Sequence, residues 1–324
     1  MGAEEEEAEM VRLLNSIFLT DAVQRRDEVI ENNVRFAHYT SAEVAMSIIQ
    51  NKAVWMRNAI TMNDFSEIHH GKKCVFDAWK APGGEKLKAV LEGLYPGIIT
   101  DIETLFTSWQ RDLENNTFLT SLSEHWPDED NLGRLSMWRA YGGRNGVALV
   151  LNRTPFETET DNLHAYSAPV FYGDTEMVEQ QFDRTADGII AKRDAFELVP
   201  AEAIRDMMFM VLRFTVLCTK HPAFSEEREW RVIYSPNVAR SPVVIPFVQT
   251  VRGVPQVIQK LPLVNDIEHG LNGAAIPDLL YRLIIGPTED PFVTFDAFAV
   301  LLAEAGVENP AERIWPSGIP LRQW

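Results

Sequence analysis

The sequence predicts an α+β protein. Short apolar runs of strand length recur along the chain, and long stretches with helical periodicity cluster between them instead of alternating with them one for one. Strands must therefore be brought together from distant segments, with helices inserted between them.

The elements follow in order. Residues 8–30 carry Met10, Leu13, Leu14, Ile17 and Phe18 at helical spacing. Val34 to His38 reads as a short strand. Thr40-Ser41-Ala42-Glu43 is a capping box led by the Thr40 hydroxyl, opening a helix to about Gln50. Ala53-Val54-Trp55-Met56 is the next strand. Asp64 and Glu67 repeat the capping logic for a helix towards Lys80, stopped at Ala81-Pro82-Gly83-Gly84. Residues 85–114 read as helical with a break at Tyr95-Pro96-Gly97. Phe118 to Leu122 is a strand, Asp130 to Tyr141 a helix ended by Gly142-Gly143, and Gly146 to Leu151 a buried strand. Pro169 to Tyr172 is another strand, and residues 175–219 are two helices divided near Pro200. Trp230–Tyr234, Val243–Phe247 and Tyr281–Ile285 are further strands, and 292–305 is a closing helix.

Charge and composition exclude several classes. The 324 residues hold 47 acids against 30 Lys and Arg, a formal net charge of −17, which disfavours non-specific binding to nucleic acid or anionic membrane. A hydrophobic fraction of 46% argues against global disorder. Cys74 and Cys218 have no metal or redox spacing and read as buried hydrophobes in a reducing compartment. The acidic start Met1-Gly2-Ala3-Glu4 is not the pattern of a signal or transit peptide. The most apolar stretch, Met207 to Cys218, is too short to span a bilayer and contains Arg213. A cytoplasmic protein without membrane contact is expected. No G-x-G-x-x-G, P-loop, G-x-S-x-G or H-E-x-x-H occurs.

Two segments carry the chemistry. Glu227-Arg228-Glu229 places two carboxylates two residues apart, facing one side if both lie on a strand. Such a carboxylate on a cleft wall can stabilise positive charge at a sugar C1, or it can be a solvated edge before the strand. His38-Tyr39-Thr40 sits at a strand end, where ligand groups gather, although a hydrogen-bonded half-buried histidine and a capping threonine explain it as well. Ser121 and Ser123, in Thr120-Ser121-Leu122-Ser123-Glu124, can order a bound molecule or brace a glutamate, or be strand-end polar groups. Trp138 and Tyr141 are helical neighbours; core packing fits Trp138 better than Tyr141, which can stack on a flat ring. Glu67-Ile68-His69-His70 has one E-x-x-H spacing, where a di-iron site needs two, so no metal is expected.

Taken in order, these segments resemble a bacterial family catalogued as domain of unknown function 2971. The pieces are His38-Tyr39-Thr40, Trp55 with Asn63-Asp64 and Glu67, and Phe118 to Ser123. Met137-Trp138-Arg139-Ala140-Tyr141-Gly142 with Gly146 to Leu149, and Lys220-His221-Pro222 to Glu229-Trp230-Arg231, complete the set over roughly residues 34–235. That family looks like a distant branch of the ADP-ribosyltransferase fold. The resemblance implies a split, mainly antiparallel sheet in a single domain, 34–290, with helical insertions at about 64–114 and 174–219. A helical segment, 1–33, would precede it, and a helix and tail, 291–324, would pack on it. It implies NAD as substrate, with His38 holding the adenosine ribose, Tyr39 and Thr40 beside it among the cofactor-binding residues, one of Ser121, Ser123 or Tyr141 on the nicotinamide side, and Glu229 as catalytic carboxylate. Glu227, two residues earlier, would help select the acceptor.

The implied activity is transfer of ADP-ribose to a macromolecular acceptor, protein or nucleic acid, with release of nicotinamide. The implied setting is a bacterial toxin or phage-defence effector, with a neutralising or sensing partner protein. Three alternatives stand beside it. One is an NAD glycohydrolase, another a catalytically silent nucleotide-sensing module, and the third a metal-dependent hydrolase using Asp64, Glu67 and His70.

Overall fold

The computed structural model describes residues 3–61, 65–157, 161–251 and 253–320. It is a mixed α/β protein whose chain divides into two compact units. One comprises Met1–Glu28, Ala59–Asn116 and Ala168–Ser225; the other comprises Val29–Asn58, Thr117–Ser167 and Glu226–Trp324. The strands are β1 (Arg35–Ser41), β2 (Ala53–Asn58), β3 (Phe118–His125), β4 (Gly146–Leu151), β5 (Ala165–Pro169), β6 (Phe171–Tyr172), β7 (Thr219–Lys220), β8 (Glu229–Tyr234), β9 (Ile245–Val251), β10 (Val254–Pro262), β11 (Leu280–Ile285) and β12 (Ile314–Pro316).

The second unit holds the large sheet. Among the described residues its order is β12-β11-β4-β1-β3-β2-β10-β9, with β8 joined to β3 and β5 to β8. Pairings from β11 through to β9 are antiparallel, and β11–β12 is parallel. The sheet opens at β3. One edge of β3 is taken by β8, antiparallel from Phe118↔Tyr234 to Ser123↔Glu229. The opposite edge is shared: β1 pairs it at Ser123–His125 and β2 pairs it at Phe118–Leu119. Neither β1 nor β2 pairs with Thr120–Leu122 on that edge, so the two part there.

Apolar patterning explains the firm side of this sheet. All six residues of β4 are buried. Val147, Leu149 and Leu151 pack with Phe36, Ile48, Ile49 and Phe298 on one face. Ala148 and Val150 pack with Tyr39 and Trp138 on the other. Burial on both faces is why β4 reads as a continuous apolar run rather than an alternating one. Each such side chain contributes about 1.5–3 kcal/mol of transfer free energy.

The first unit is helical: Ala3–Phe18, Thr20–Glu31, Phe65–Lys80, Pro82–Leu94, Ile98–Asn115, Thr175–Ala191, Arg193–Phe196 and Ala201–Cys218, with β6 and β7 as a small parallel pair. The helices Phe65–Lys80 and Ala201–Cys218 approach so closely at Gly71 that a Cβ there would lie 2.2 Å from the Val216 carbonyl oxygen. Arg213 is buried in the apolar helix, its guanidinium over the Phe214 ring at 5.3 Å. Among the described residues no helix is long and apolar enough to cross a membrane.

Several local expectations change. The cap of the helix Ala42–Asn51 is Ser41, not Thr40: Ser41 Oγ accepts from Val44 N at 3.3 Å, and Thr40 remains in β1. Ser123 and Glu124 lie inside β3, because β1 extends the pairing to His125. The helix over Asp130–Tyr141 shrinks to Leu135–Met137 followed by a wider π turn at Trp138–Gly142. The backbone at Gly133 has φ +62°, which no helix accommodates. β10 and β12 come where no strand is expected. Asn63 and Asp64 lie outside the described residues.

Candidate active site

Glu229 opens β8, and its environment is built by that strand and β3. The pairing Ser123↔Glu229 and Ser121↔Arg231 sets Glu229, Arg231, Ser121 and Ser123 on one face of the sheet. Ser121 Oγ donates to Glu229 Oε1 at 2.6 Å. Arg231, two residues on along the same face, donates from Nε to Oε1 at 2.8 Å and from Nη2 to Oε2 at 3.1 Å. A planar fork on both oxygens fixes the carboxylate in position and rotation. Glu229 is 7% exposed and Arg231 4% exposed, so this is a buried ion pair rather than the solvated edge an acidic chain usually presents.

His38 reaches the same strand from the other side of the opening. Its Nδ1 lies 3.1 Å from the Ser121 carbonyl, in the stretch of β3 that neither β1 nor β2 pairs. A carbonyl can only accept, so Nδ1 carries the proton and, in the neutral ring, Nε2 keeps its lone pair. Burial lowers the His38 pKa, and the bond to Ser121 offsets this in part, so the ring is neutral at pH 7. The register sets Ala37 and Tyr39 on the Glu229 face and Phe36, His38 and Thr40 on the other. His38 and Glu229 are thus joined through Ser121, by its carbonyl to one and its hydroxyl to the other.

The other expected site residues have different surroundings. Tyr39 is buried; its hydroxyl accepts from Arg134 N at 3.0 Å and its ring meets Trp138 edge-on at 4.8 Å. Burial raises the Tyr39 pKa, and the Arg134 backbone bond lowers it less. Thr40 is half-buried in β1 beyond the last β1–β3 pair. Ser123 Oγ donates to the Glu227 carbonyl and accepts from Arg134 Nη2. Tyr141 is 38% exposed on the π turn and donates to Glu227 Oε1 at 3.1 Å.

Glu227 and Glu229 do not share a strand face. Glu227 ends a 3₁₀ turn, Pro222–Glu227, and Arg228 follows with φ +45°. For a residue with a side chain that left-handed conformation costs roughly 1–3 kcal/mol unless its surroundings impose it. Here they do. Glu124 N donates to the Arg228 carbonyl at 2.8 Å, and the Arg228 guanidinium meets Glu129 at 2.9 Å. Arg134, 8% exposed, donates to the carbonyls of Glu226 and Glu227. The chain is therefore clamped immediately before the carboxylate it delivers.

Arg134, Glu129 and Arg231 are the residues that sequence reasoning left without a role. Arg231 had a readable signal, its period-two placement with Glu229. Arg134 had none, since its partners are backbone carbonyls 92 residues further on. His70, in the first unit, donates from Nε2 to the Gly173 carbonyl at 2.9 Å, and the same nitrogen lies 3.6 Å from Cys74 Sγ. Among the described residues no group of His, Cys, Asp and Glu could hold a metal ion.

A mixed α/β protein with an open, mainly antiparallel sheet and a clamped carboxylate beside the opening is what fold and site define. Residues 137–232 match the model of a family described as "Protein of unknown function (DUF2971)", which supports kinship with that family. The match takes in Met137 to Tyr141 and Glu229-Trp230-Arg231, and stops short of His38 and Ser121. No curated protein and no solved structure matches the chain.

Proposed function

We propose that the protein cleaves the nicotinamide–ribose bond of NAD and transfers ADP-ribose to a macromolecular acceptor, on the ADP-ribosyltransferase plan that the sequence resembles. The observation that carries this reading is Glu229 on β8, held by the Arg231 fork and, at 2.6 Å, by the Oγ of Ser121, the β3 residue that lies where β1 and β2 part. A pre-oriented carboxylate needs no reorganisation when positive charge develops at the ribose C1. Glu229 would accept from a ribose hydroxyl and stabilise the oxocarbenium ion. His38 Nε2 would accept from the adenosine-side ribose, and Tyr141 and Glu227, at the exposed end of the clamp, would meet the acceptor.

Nicotinamide release from NAD by purified protein tests the reading. Glu229→Gln keeps the shape and removes the charge, and it should lower release by about 10²–10³-fold. Release that needs an added lysate acceptor identifies transfer; release without one identifies glycohydrolysis. Equal release from wild type and Glu229→Gln would overturn the assignment. A toxin or antiphage role goes with this reading, and growth arrest on expression of wild type but not of Glu229→Gln is its cellular counterpart.

A second reading has its own support. The Glu229 oxygens are already taken by Ser121 and Arg231, which suits a module that binds a nucleotide without cleaving it. Saturable NAD binding without nicotinamide release, unaltered by Glu229→Gln, would favour it.

A further inference from the structure

The carboxylate that closes the clamp before Glu229 also faces a histidine. Glu129 is buried, and its Oε1 meets both cations of the clamp, Arg228 Nη1 at 2.9 Å and Arg134 Nε at 3.5 Å. Its Oε2 accepts from Trp126 N at 3.0 Å and lies 3.9 Å from His125 Nδ1. His125 ends β3, 1% exposed, on the face that carries Ser121, Ser123 and Glu229.

The other ring nitrogen fixes the tautomer. His125 Nε2 lies 3.0 Å from Asp130 Oδ1, and a carboxylate accepts, so Nε2 holds the proton of the neutral ring. Nδ1 then carries a lone pair, buried and without a hydrogen-bond partner among the described residues. Such an atom is rare in a protein interior and marks a group with a further role. The ring has charges on every side. Glu129 and Asp130 face it, with Arg134 and Arg228 beyond Glu129. Tyr39 accepts from Arg134 N. Arg35, its register partner on β1, lies 3.5 Å over the Tyr281 ring. Tyr281 donates to Asp130 Oδ2 at 3.3 Å, and Arg282 to the Asp130 carbonyl at 2.9 Å.

We propose that Glu129 positions Glu229 through the clamp and that His125 governs its grip. A proton on Nδ1 draws Glu129 Oε2 into an ion pair, away from Arg228 and Arg134, and Glu226–Arg228 loosens. Closing 3.9 Å to a charge-assisted bond of about 2.8 Å moves the carboxylate by about 1 Å, at the expense of its Oε1 contacts. Arg228, held at φ +45°, has backbone strain to relieve once it is freed. Burial lowers the His125 pKa and the Asp130 bond offsets this in part, so the change falls below pH 6.5. Resting on the proposed activity, the consequence is that acid disengages Glu229 and switches nicotinamide release off.

Hydrogen–deuterium exchange of the full-length protein, read as protection factors from about pH 7.5 to about pH 5, tests this without NAD. Glu124 N donates to the Arg228 carbonyl at 2.8 Å, so its amide reports the clamp, and the amides of Ala148 and Val150 in β4 are the reference. Glu124 protection should fall at least tenfold on acidification while β4 holds. The fall should coincide with titration of the His125 ring in NMR, a comparison that needs no variant. Glu129→Gln should leave Glu124 poorly protected at every pH, His125→Gln should leave it protected at every pH, and His38→Gln should keep the wild-type fall. Protection that stays flat or rises as His125 titrates, that falls only together with β4, or that still falls in His125→Gln would each overturn the proposal. So would a His125 ring that takes no proton before the protein unfolds. Nicotinamide release over the same range separates the two readings, and its kcat should follow Glu124 protection. A clamp that titrates in protein releasing no nicotinamide refutes the activity alone, whereas release with a clamp indifferent to pH refutes the role of His125 alone.

Discussion

The two arms of the sheet that share one edge of β3 are built to different standards. On the β1–β4 side both faces are packed: β4 is buried at all six positions, and Phe36, Tyr39 and Trp138 close on it. On the β2–β10–β9 side the sheet ends in a hairpin exposing Ile245, Phe247, Val248, Val254 and Val257. The difference teaches where precision is needed. Glu229 is anchored from the packed flank through Ser121, Arg134 and the clamp before it, and the open flank is left for contact. A two-sided core holds side chains in single rotamers, whereas a hairpin without a covering layer gains little from packing.

Breaking the packed flank should be costly. Arg134→Met removes the guanidinium from Ser123 and from the carbonyls of Glu226 and Glu227, and leaves Glu129 buried with one cation fewer. A loss of about 3–5 kcal/mol in denaturant unfolding is expected, accompanied by loss of nicotinamide release. Phe36→Ala, at 1% exposure between Phe156 and Trp230, should cost about 3–4 kcal/mol by the same measurement.

Acid sharpens the comparison. Burial lowers the pKa of both His38 and His125, so below pH 6.5 the unfolded chain binds protons that the folded chain refuses. Stability is therefore full above pH 6.5 and falls as the pH drops through the folded-state values. His38→Gln and His125→Gln should each flatten that acid limb in pH-dependent unfolding, and an unchanged limb would remove the packed flank from the account.

Smaller effects come at the edges. Lys52, the exposed C-terminal cap of the helix Ala42–Asn51, has φ +46°. Lys52→Gly should raise stability by about 1 kcal/mol, because glycine adopts that conformation without a Cβ penalty. Val248→Thr on the open hairpin should shift stability by no more than about 0.5 kcal/mol. A loss comparable to that of Phe36→Ala would show that the two flanks are packed alike.

The packed flank was also the legible one. β4 announces itself as an apolar run because both its faces are buried, while β1, β2, β8 and β11 are legible from the short apolar stretches they carry beside polar residues such as Arg57, Glu229, Arg231 and Arg282. β10 escapes that test: Pro255, Gln256, Gln259 and Lys260 interrupt it, and only Ile258 and Gln259 are buried. The helix over Asp130–Tyr141 is over-read for the opposite reason. Its apolar spacing is real, but Asp130 is held by His125, Tyr281 and Arg282, and Arg134 is drawn to the clamp. At the site, Glu229 and His38 stand out by their neighbours in sequence. Arg134 cannot, because a side chain that binds backbone leaves no complementary residue to read. Thr40 and Ser41 show the limit of pattern: either hydroxyl could cap, and it is Ser41, with extended backbone just before the helix, whose side chain accepts from Val44 N.

The position of β3 has a consequence for the nascent chain. This strand needs β1 and β2 on one edge, which precede it, and β8 on the other, which follows it. Ser121 and Glu229 are 108 residues apart, so at usual rates of synthesis roughly 5–20 s pass before β8 has even been made. Throughout that interval Phe118–Ser123 presents a bare row of amides and carbonyls, next to apolar side chains. A chain halted on the ribosome in this window, or cut short before Glu229, is left with an adhesive border that only β8 can close.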